Sequence, residues 1–256
     1  MILAILQARF SSSRLPGKVL KMILQKEMLL HQIERIQLSR KIDKLIVATS
    51  LEASDDLIEG MCLKNDILCY RGSLTNVLDR FFQCASKYDP QHIVRLTGDC
   101  PLVDYRILDD VIEHHLKGGF DYTTNAFIAT YPDGLDVEVM TYKTLSKVWQ
   151  NATLPSEKEH VTLFINQHYQ DFLIGHYVYC RDISYLRWTV DEPEDFNFVV
   201  QVYQKLYPIN QQFLMDDILE LLEREPHLKN INCTFLRNEG LKQSFIQDKE
   251  FLEDDI

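Results

Sequence analysis

Short apolar runs alternate with segments of helical period through the first half of the chain. Ile2–Leu6, Lys44–Ala48, Ile67–Tyr70 and His92–Leu96 read as strands. Between them, Glu27–Leu38 carries Leu29, Leu30, Ile33 and Ile36 near helical spacing, and Thr75–Tyr88 does the same with Val77, Leu78, Phe81, Phe82 and Ala85. This alternation predicts βαβ units and a parallel sheet. Ser54 or Asp55 is placed to cap a helix through Leu63, and Asp104 to cap one running to about Leu116, stopped by Gly118-Gly119.

After Gly119 the alternation breaks, and Asp121–Asp136 reads as irregular around Tyr131-Pro132-Asp133-Gly134. Leu135–Met140 returns as a strand, followed by helical segments at Tyr142–Gln150 and Glu157–His168 and by strands near Leu173–Tyr179 and Leu186–Val190. Pro193 stands at a helix start with acidic residues in the favourable first turn. Asp216–Arg224 is helical. The remainder is a polar segment ending in Glu253-Asp254-Asp255, expected to be solvated and mobile. No repeat or low-complexity linker asks for a domain boundary.

Composition narrows the partners. The chain has 256 residues, 46% of them hydrophobic, enough for a sizeable core. Its 27 basic against 38 acidic residues give a net charge of −11, which disfavours nucleic acid and anionic membrane surfaces. The six cysteines form no C-x-x-C pair, so the expected compartment is the reducing cytoplasm. No signal peptide or membrane span is expected from the start Met1-Ile2-Leu3-Ala4-Ile5-Leu6 or from any later apolar run. Cys100 lies between Asp99 and Asp104, which raise a thiol pKa and make it a poor nucleophile. Trp149 and Trp188 read as core anchors, and His160 as a structural histidine on a helix.

The polar positions suited to chemistry fall at strand ends. The first strand runs into Gln7-Ala8-Arg9-Phe10-Ser11-Ser12-Ser13-Arg14-Leu15-Pro16-Gly17-Lys18. A loop leaving a first parallel strand is where α/β proteins hold nucleotides, and Arg9, Arg14 and Lys18 with Ser12 and freed amides suit a polyphosphate. Neither G-x-G-x-x-G nor G-x-x-x-x-G-K-[ST] occurs, which excludes two common nucleotide folds by motif. A second strand ends in Thr97-Gly98-Asp99-Cys100-Pro101, where Asp99 is either a hard-oxygen ligand for Mg²⁺ or the head of an Asx turn. A third segment, Arg187-Trp188-Thr189-Val190-Asp191-Glu192-Pro193-Glu194-Asp195, offers Asp191 as a second ligand or as a helix cap. The two roles compete for the same oxygens. Asp133, Asp136 and Glu138 form a short acidic group able to accept from a ligand's hydroxyls, or simply a polar turn entering a strand. Such acids sit awkwardly with an anionic ligand, which calls for a cation such as Arg187, and they equally suit a neutral or amino-bearing one.

Taken in order along the chain, these segments resemble the cytidylyltransferases of bacterial surface-sugar biosynthesis, in particular the spore coat polysaccharide biosynthesis protein F branch. The 3-deoxy-manno-octulosonate and acylneuraminate cytidylyltransferases are its relatives. Further residues that carry the resemblance are Ile46-Val47-Ala48-Thr49, Tyr70-Arg71-Gly72-Ser73, Val77-Leu78-Asp79-Arg80, Tyr131-Pro132-Asp133-Gly134-Leu135-Asp136, Glu159-His160-Val161-Thr162 and Asn238-Glu239-Gly240. The resemblance implies a nucleotide-diphospho-sugar transferase fold, an α/β three-layer sandwich of Rossmann-like, GT-A type with a mixed, mainly parallel sheet. It implies CMP transfer from CTP to a sugar acid with release of pyrophosphate and Mg²⁺ as cofactor, and a homodimer. Carried over, Arg9, Arg14, Lys18 and Asp99 are the catalytic set, and Asp99 with Asp191 the metal pair. Ala8, Ser12, Arg71, Ser73, Thr97 and Gly98 join Arg9, Arg14 and Lys18 at the nucleotide, and Asp133, Asp136, Glu138 and Arg187 meet the acceptor. The spacing around Arg71 and Ser73 departs from the related H-x-S-G-T-D-R segment, and Asp79 and Arg80 read equally as surface residues. The expected organisation of 1–256 is one domain, with a nucleotide part at 1–118, an acceptor and dimer part at 119–190, and closing helices and tail at 191–256. The alternatives are another triphosphate or sugar, a non-catalytic nucleotide binder, or a nucleotide-sugar-dependent glycosyltransferase. Asp133-Gly134-Leu135-Asp136 lacks the Asp-x-Asp spacing of the last.

Overall fold

The first strand shows how the architecture arises. Along Ile2–Gln7, Leu3 and Ile5 pack into one apolar cluster while Ala4 and Leu6 pack into another, so both faces of the strand are buried. A strand apolar on both sides sits in the middle of a sheet covered by helices on each face. The computed structural model describes residues 1–235, 237 and 239–254, and the side chains of all of these but 239–243 and 254.

Chain order begins β1 (Ile2–Gln7), a small hairpin β2 (Met22–Ile23) and β3 (Lys26–Glu27), α1 (Met28–Ile36), β4 (Lys44–Ser50), α2 (Asp56–Lys64), β5 (Leu68–Gly72), α3 (Val77–Ser86) and β6 (His92–Thr97). It continues through α4 (Tyr105–Gly118), β7 (Tyr122–Thr124), β8 (Glu138–Thr141), α5 (Tyr142–Asn151), α6 (Pro155–Glu159), α7 (Leu163–Gln167) and β9 (Ile174–His176). It ends with α8 (Pro193–Leu206), α9 (Met215–Arg224) and α10 (Glu239–Asp254). The large sheet has the order β5-β4-β1-β6-β8-β7-β9. β8 alone runs against its neighbours, β6 and β7, while the other pairings are parallel. The α/β, mixed and mainly parallel expectation holds.

Helices α1, α2, α4, α8 and α9 fill one face through residues such as Leu29, Ile58, Leu108, Phe198 and Ile218, and α3, α5 and α7 fill the other through Phe81, Leu145 and Ile165. Each fully buried Leu, Ile or Phe contributes on the order of 1.5–3 kcal/mol of transfer free energy. Trp188 is fully buried, whereas Trp149 is half-buried, stacked on Phe82, and donates Nε1–H to Asp79 at 2.9 Å. No helix among the described residues is long and apolar enough to cross a membrane.

Several local expectations change. Asp104 does cap α4 through the Arg106 amide, and Gly119 closes it in the left-handed region at φ 61°. Asp55 precedes α2 without capping it, because its carboxylate accepts instead from the Phe10 amide, the Ser50 amide and the Ser50 hydroxyl. It ties the loop after β1 to the end of β4. Asp121–Asp136 is not wholly irregular, since β7 lies within it. The Leu173–Tyr179 strand shrinks to Ile174–His176. Leu186–Val190 is no ladder strand but an extended segment with one bridge, Asp133 to Arg187. Glu157–His168 is two helices, broken at Val161, which has φ 42° and is 1% exposed. A buried β-branched residue at positive φ is strained, and the break turns His160 and Thr162 toward the sheet end. The polar tail folds as α10, latched where the Ser156 amide and hydroxyl donate to Asp248 at 2.9 and 2.5 Å. Asn238 and Asp255 lie outside the described residues.

Candidate active site

The carboxyl ends of β1 and β6 open into a cleft of about 480 Å³. Ala8, Arg9, Ser12, Arg14, Lys18, Thr97, Gly98, Asp99 and Asp191 all line it. The loop after β1 is pinned by the Phe10 amide on Asp55 and by the Gly17 amide donating to the Phe10 carbonyl, 2.7 and 2.9 Å. Gly17 has φ 68°, and a Cβ there would meet the Phe10 ring at 2.9 Å, so this tight return needs glycine. The next residue opens a single 3₁₀ turn, Lys18–Leu20, and reaches back into the cleft.

Lys18 organises the two acids. Its ammonium donates to Asp99 Oδ2 at 3.1 Å, to Asp191 Oδ1 at 2.9 Å and to the Val190 carbonyl at 2.7 Å. Burial pulls the Lys18 pKa down, but the charges of Asp99 and Asp191 more than offset this and hold it above the usual lysine value. For Asp99, burial works upward while Lys18 and the Thr97 hydroxyl bring the pKa down to about 2. Asp191 does not cap α8. The Asp191 and Glu192 amides donate to Asp195 instead, and the freed Asp191 carboxylate meets Lys18, Arg14 at 3.1 Å and Arg187 at 3.1 Å. Asp99, Asp191 and the Val190 carbonyl thus present hard oxygens to one positive charge, a donor set suited to a divalent ion.

Asp191 reaches Asp99 because the 186–190 segment is laced to two loops. The Val190 amide donates to the Asp99 carbonyl at 2.8 Å, and the Asp133 amide to the Leu186 carbonyl at 2.9 Å. Gly134 sits at φ 109° where a Cβ would lie 2.5 Å from the Thr189 nitrogen. Only glycine lets the Tyr131-Pro132-Asp133-Gly134 turn approach that closely.

A second cavity, about 370 Å³, adjoins the first and shares Gln7, Arg14, Arg95, Thr97, Asp99, His160 and Asp191 with it. Asp133, Asp136, Glu138 and Arg187 line it together. Arg187 is locked by Asp195, Asp133 and Asp191, and Asp136 pairs with Arg237. Burial, reinforced by Asp136, raises the Asp133 pKa to about 7. Between the ordinary aspartate range and pH 7 the native chain therefore holds a proton that the unfolded chain has released, and this group makes stability fall as pH rises through that window. Urea midpoints at pH 5 and pH 7.5 should show that decline in the wild type and a shallower one in Asp133→Asn; equal slopes would remove Asp133 as the source.

Arg71 and Ser73 are not brought to either cavity. Arg71 donates to Asp56, Glu59 and the Ser50 and Glu52 carbonyls, and the Ser73 hydroxyl accepts from the Asn76 amide. These are local ties of the β4–α2 and β5–α3 connections. Arg80, readable as a surface residue, is 1% exposed and lines the cleft with its Nε unpartnered; burial and then Arg9 lower its pKa to about 10. Cys100 is buried with its pKa pushed well up by burial and then Asp99, which leaves no reactive thiolate. His160 shares a hydrogen bond with the Ser244 hydroxyl at 2.8 Å and faces both cavities. Gln7, Arg95 and Asn166 also line these cavities, and sequence reasoning passed over them. The available signal was Arg95 itself, a cation inside an otherwise apolar central strand on the face of Thr97.

Comparison with known proteins places the whole fold in a family. The family model "Cytidylyltransferase" matches residues 3–239. The spore coat polysaccharide biosynthesis protein SpsF of Bacillus subtilis is 35% identical over 88% of this chain and 95% of its own. A cytidylyltransferase structure from Leptospira borgpetersenii superposes with a TM-score of 0.85 at 32% identity, over 89% of this chain and 95% of that one. The fold is also that of a CMP:2-keto-3-deoxy-manno-octonic acid synthetase solved with CTP, TM-score 0.62 at 16% identity over 80% and 98% of the two chains. With the match spanning the sheet, the loop after β1, Asp99 and Asp191, the chain belongs to the cytidylyltransferase family and is a nucleotidyltransferase.

Proposed function

We propose that this enzyme transfers CMP from CTP to the anomeric hydroxyl of a sugar acid, releasing pyrophosphate with Mg²⁺, in the synthesis of a surface glycan. The observation that carries this reading is the Lys18 ammonium held between Asp99 and Asp191 at the seam of the two cavities. Asp99 and Asp191, with the Val190 carbonyl beside them, would hold the Mg²⁺ ion next to the bound triphosphate. Such an ion supplies charge neutralisation at the α-phosphate as the transferring bond breaks. A solved protein of this fold, from Mycobacterium tuberculosis, is a complex with manganese, which supports a divalent ion in the fold.

Arg9, Arg14, Lys18 and Ser12 bind the triphosphate, with Arg80 behind them, and their charges offset what develops on the departing pyrophosphate. Arg14 and Lys18 release carboxylate oxygens to do so, and the second cavity orients the acceptor. The acceptor oxygen forms a bond to the α-phosphorus, the bond to the β-bridging oxygen breaks, pyrophosphate leaves with that electron pair, and the hydroxyl proton passes to solvent. Positioning supplies much of the rate. The test incubates the enzyme with each nucleoside triphosphate, Mg²⁺ and a panel of eight- and nine-carbon keto-deoxy sugar acids, following pyrophosphate. Release with CTP is expected; release only with another triphosphate, or with none, refutes the proposal.

A further inference from the structure

Buried polar atoms in a folded protein are almost always paired, so an unpaired one on a residue that lines a cavity calls for a partner from the cavity, a water or a ligand atom. Among the described residues, four of the seven unpaired buried side-chain atoms belong to residues that line the two cavities: Gln7 Oε1, Arg80 Nε, Arg95 Nε and Asn166 Oδ1. Arg80 faces the nucleotide cleft alone. Gln7 and Arg95 face both cavities, and Asn166 the second.

Arg95 is the informative member. It stands opposite Glu138 in the β6–β8 register, and the two form an ion pair through one amino group of the guanidinium. Glu138 is fully committed, accepting also from the Tyr122 hydroxyl at 2.5 Å and the Thr162 hydroxyl at 2.6 Å. The pair therefore holds Arg95 by one end of its fork and leaves the Nε edge with no protein partner. The other cations of the second cavity are engaged differently. Arg14 donates to Asp191 and Glu192, and Arg187 to Asp133, Asp191 and Asp195.

An anionic acceptor entering this cavity meets Asp133, Asp136 and Glu138, and needs a rigid cation with an unused fork to overcome them. We propose that Arg95, held by Glu138 at the seam of the two cavities, is the receptor for the acceptor's carboxylate, with Gln7 and Asn166 accepting from its hydroxyls. In a 2-keto sugar acid the carboxylate and the anomeric hydroxyl are borne by neighbouring carbons. A carboxylate fixed at the seam therefore sets the attacking oxygen on the nucleotide side. This inference rests on the nucleotidyl-transfer reading above and adds the residue that recognises the acceptor's carboxylate.

The experiment compares acids of the keto-deoxy panel with their C1 carboxamides in the wild type, Arg95→Gln and Arg95→Lys, reading KM for acceptor and for CTP separately. The wild type should prefer acid over amide by about 50-fold, the scale of a lost charge-assisted contact. Arg95→Gln should reduce that preference to within about fivefold while CTP KM stays within about twofold, since the cleft keeps its other cations. Arg95→Lys keeps the pair with Glu138 and a positive charge, guards against misfolding, and should show an intermediate preference. Equal use of acid and amide by the wild type overturns the inference while leaving CTP-dependent transfer intact. So does a rise in CTP KM with unchanged acid preference, which would assign Arg95 to a phosphate. Absence of pyrophosphate release with CTP and any acceptor defeats the nucleotidyl-transfer reading, and this one with it.

Discussion

Replacing Asp99 by asparagine is expected to lower the rate of pyrophosphate release by about 10²–10³-fold, the usual loss when one preorganised charge-stabilising group is removed. Asp99 is placed to act as a permanent anion. Burial favours its protonation, but Lys18 and Thr97 hold its pKa at about 2, so no proton competes for its oxygens near neutrality. Its position is also independent of its charge, because its carbonyl accepts from the Val190 amide and the Thr189 hydroxyl. Lys18 keeps Asp191 and the Val190 carbonyl as partners in the variant. The loss should therefore appear in turnover and in Mg²⁺-dependent CTP affinity, with the thermal midpoint little changed. Turnover within about threefold of wild type would remove Asp99 from the transfer site, such a change being under 1 kcal/mol of barrier.

The largest effect on stability is expected at Asp195. This residue is 0% exposed, and its carboxylate accepts from Arg187 Nε and Nη2, both at 2.9 Å, from Asn232 Nδ2 at 2.8 Å, and from the Asp191 and Glu192 amides at 2.9 and 3.0 Å. Asp195→Ala takes from the buried Arg187 guanidinium the carboxylate that pairs its Nε and Nη2, and unpairs Asn232 and two backbone amides at once, which costs about 3–5 kcal/mol. Urea unfolding measures it, and a loss below about 1 kcal/mol would mean that solvent reaches the network freely. The double variant Arg187→Met, Asp195→Ala should lose less than the sum of its parts, because the two side chains are direct partners and each single variant already removes their shared contact. The same network sets the α8 entrance, so Asp195→Ala should also disturb Asp191, whose backbone it holds.

These two residues separate what the order of residues conveys from what the fold adds. Asp99 was legible because a carboxylate directly after an apolar strand, followed by Pro101, has few places to go. The strands β1, β4 and β6 were legible for a related reason: a strand buried on both faces carries a central apolar run, here Leu3–Leu6, Leu45–Ala48 and Ile93-Val94 with Leu96. Arg9, Arg14 and Lys18 followed from one dense loop. Arg71 and Ser73 did not, since their local partners, the Asp56 and Glu59 carboxylates and the Asn76 amide, lie outside any motif.

The second half was harder to read because its pieces are short and depend on one another. Leu186–Val190 has the alternation of a strand, yet lies against two loops and forms one bridge, so contacts at Asp99 and Asp133 decide its shape. The helix pattern of Glu157–His168 is continuous in hydrophobicity, yet breaks at Val161 where Thr162 reaches Glu138. α10 looks polar in isolation and is fastened by Asp248 on Ser156, a contact 92 residues away in sequence. By itself the sequence determined the parallel sheet, the basic loop after β1 and the two acids at strand ends, all of which rest on periodicity or on neighbours within a few residues. Only the tertiary structure decided that Lys18 bridges those acids, that Asp195 frees Asp191 for the site, and that Arg95 faces two cavities with an unused edge. Each of these depends on hydrogen bonds between residues distant in the chain or on burial, and neither quantity exists until the chain has folded.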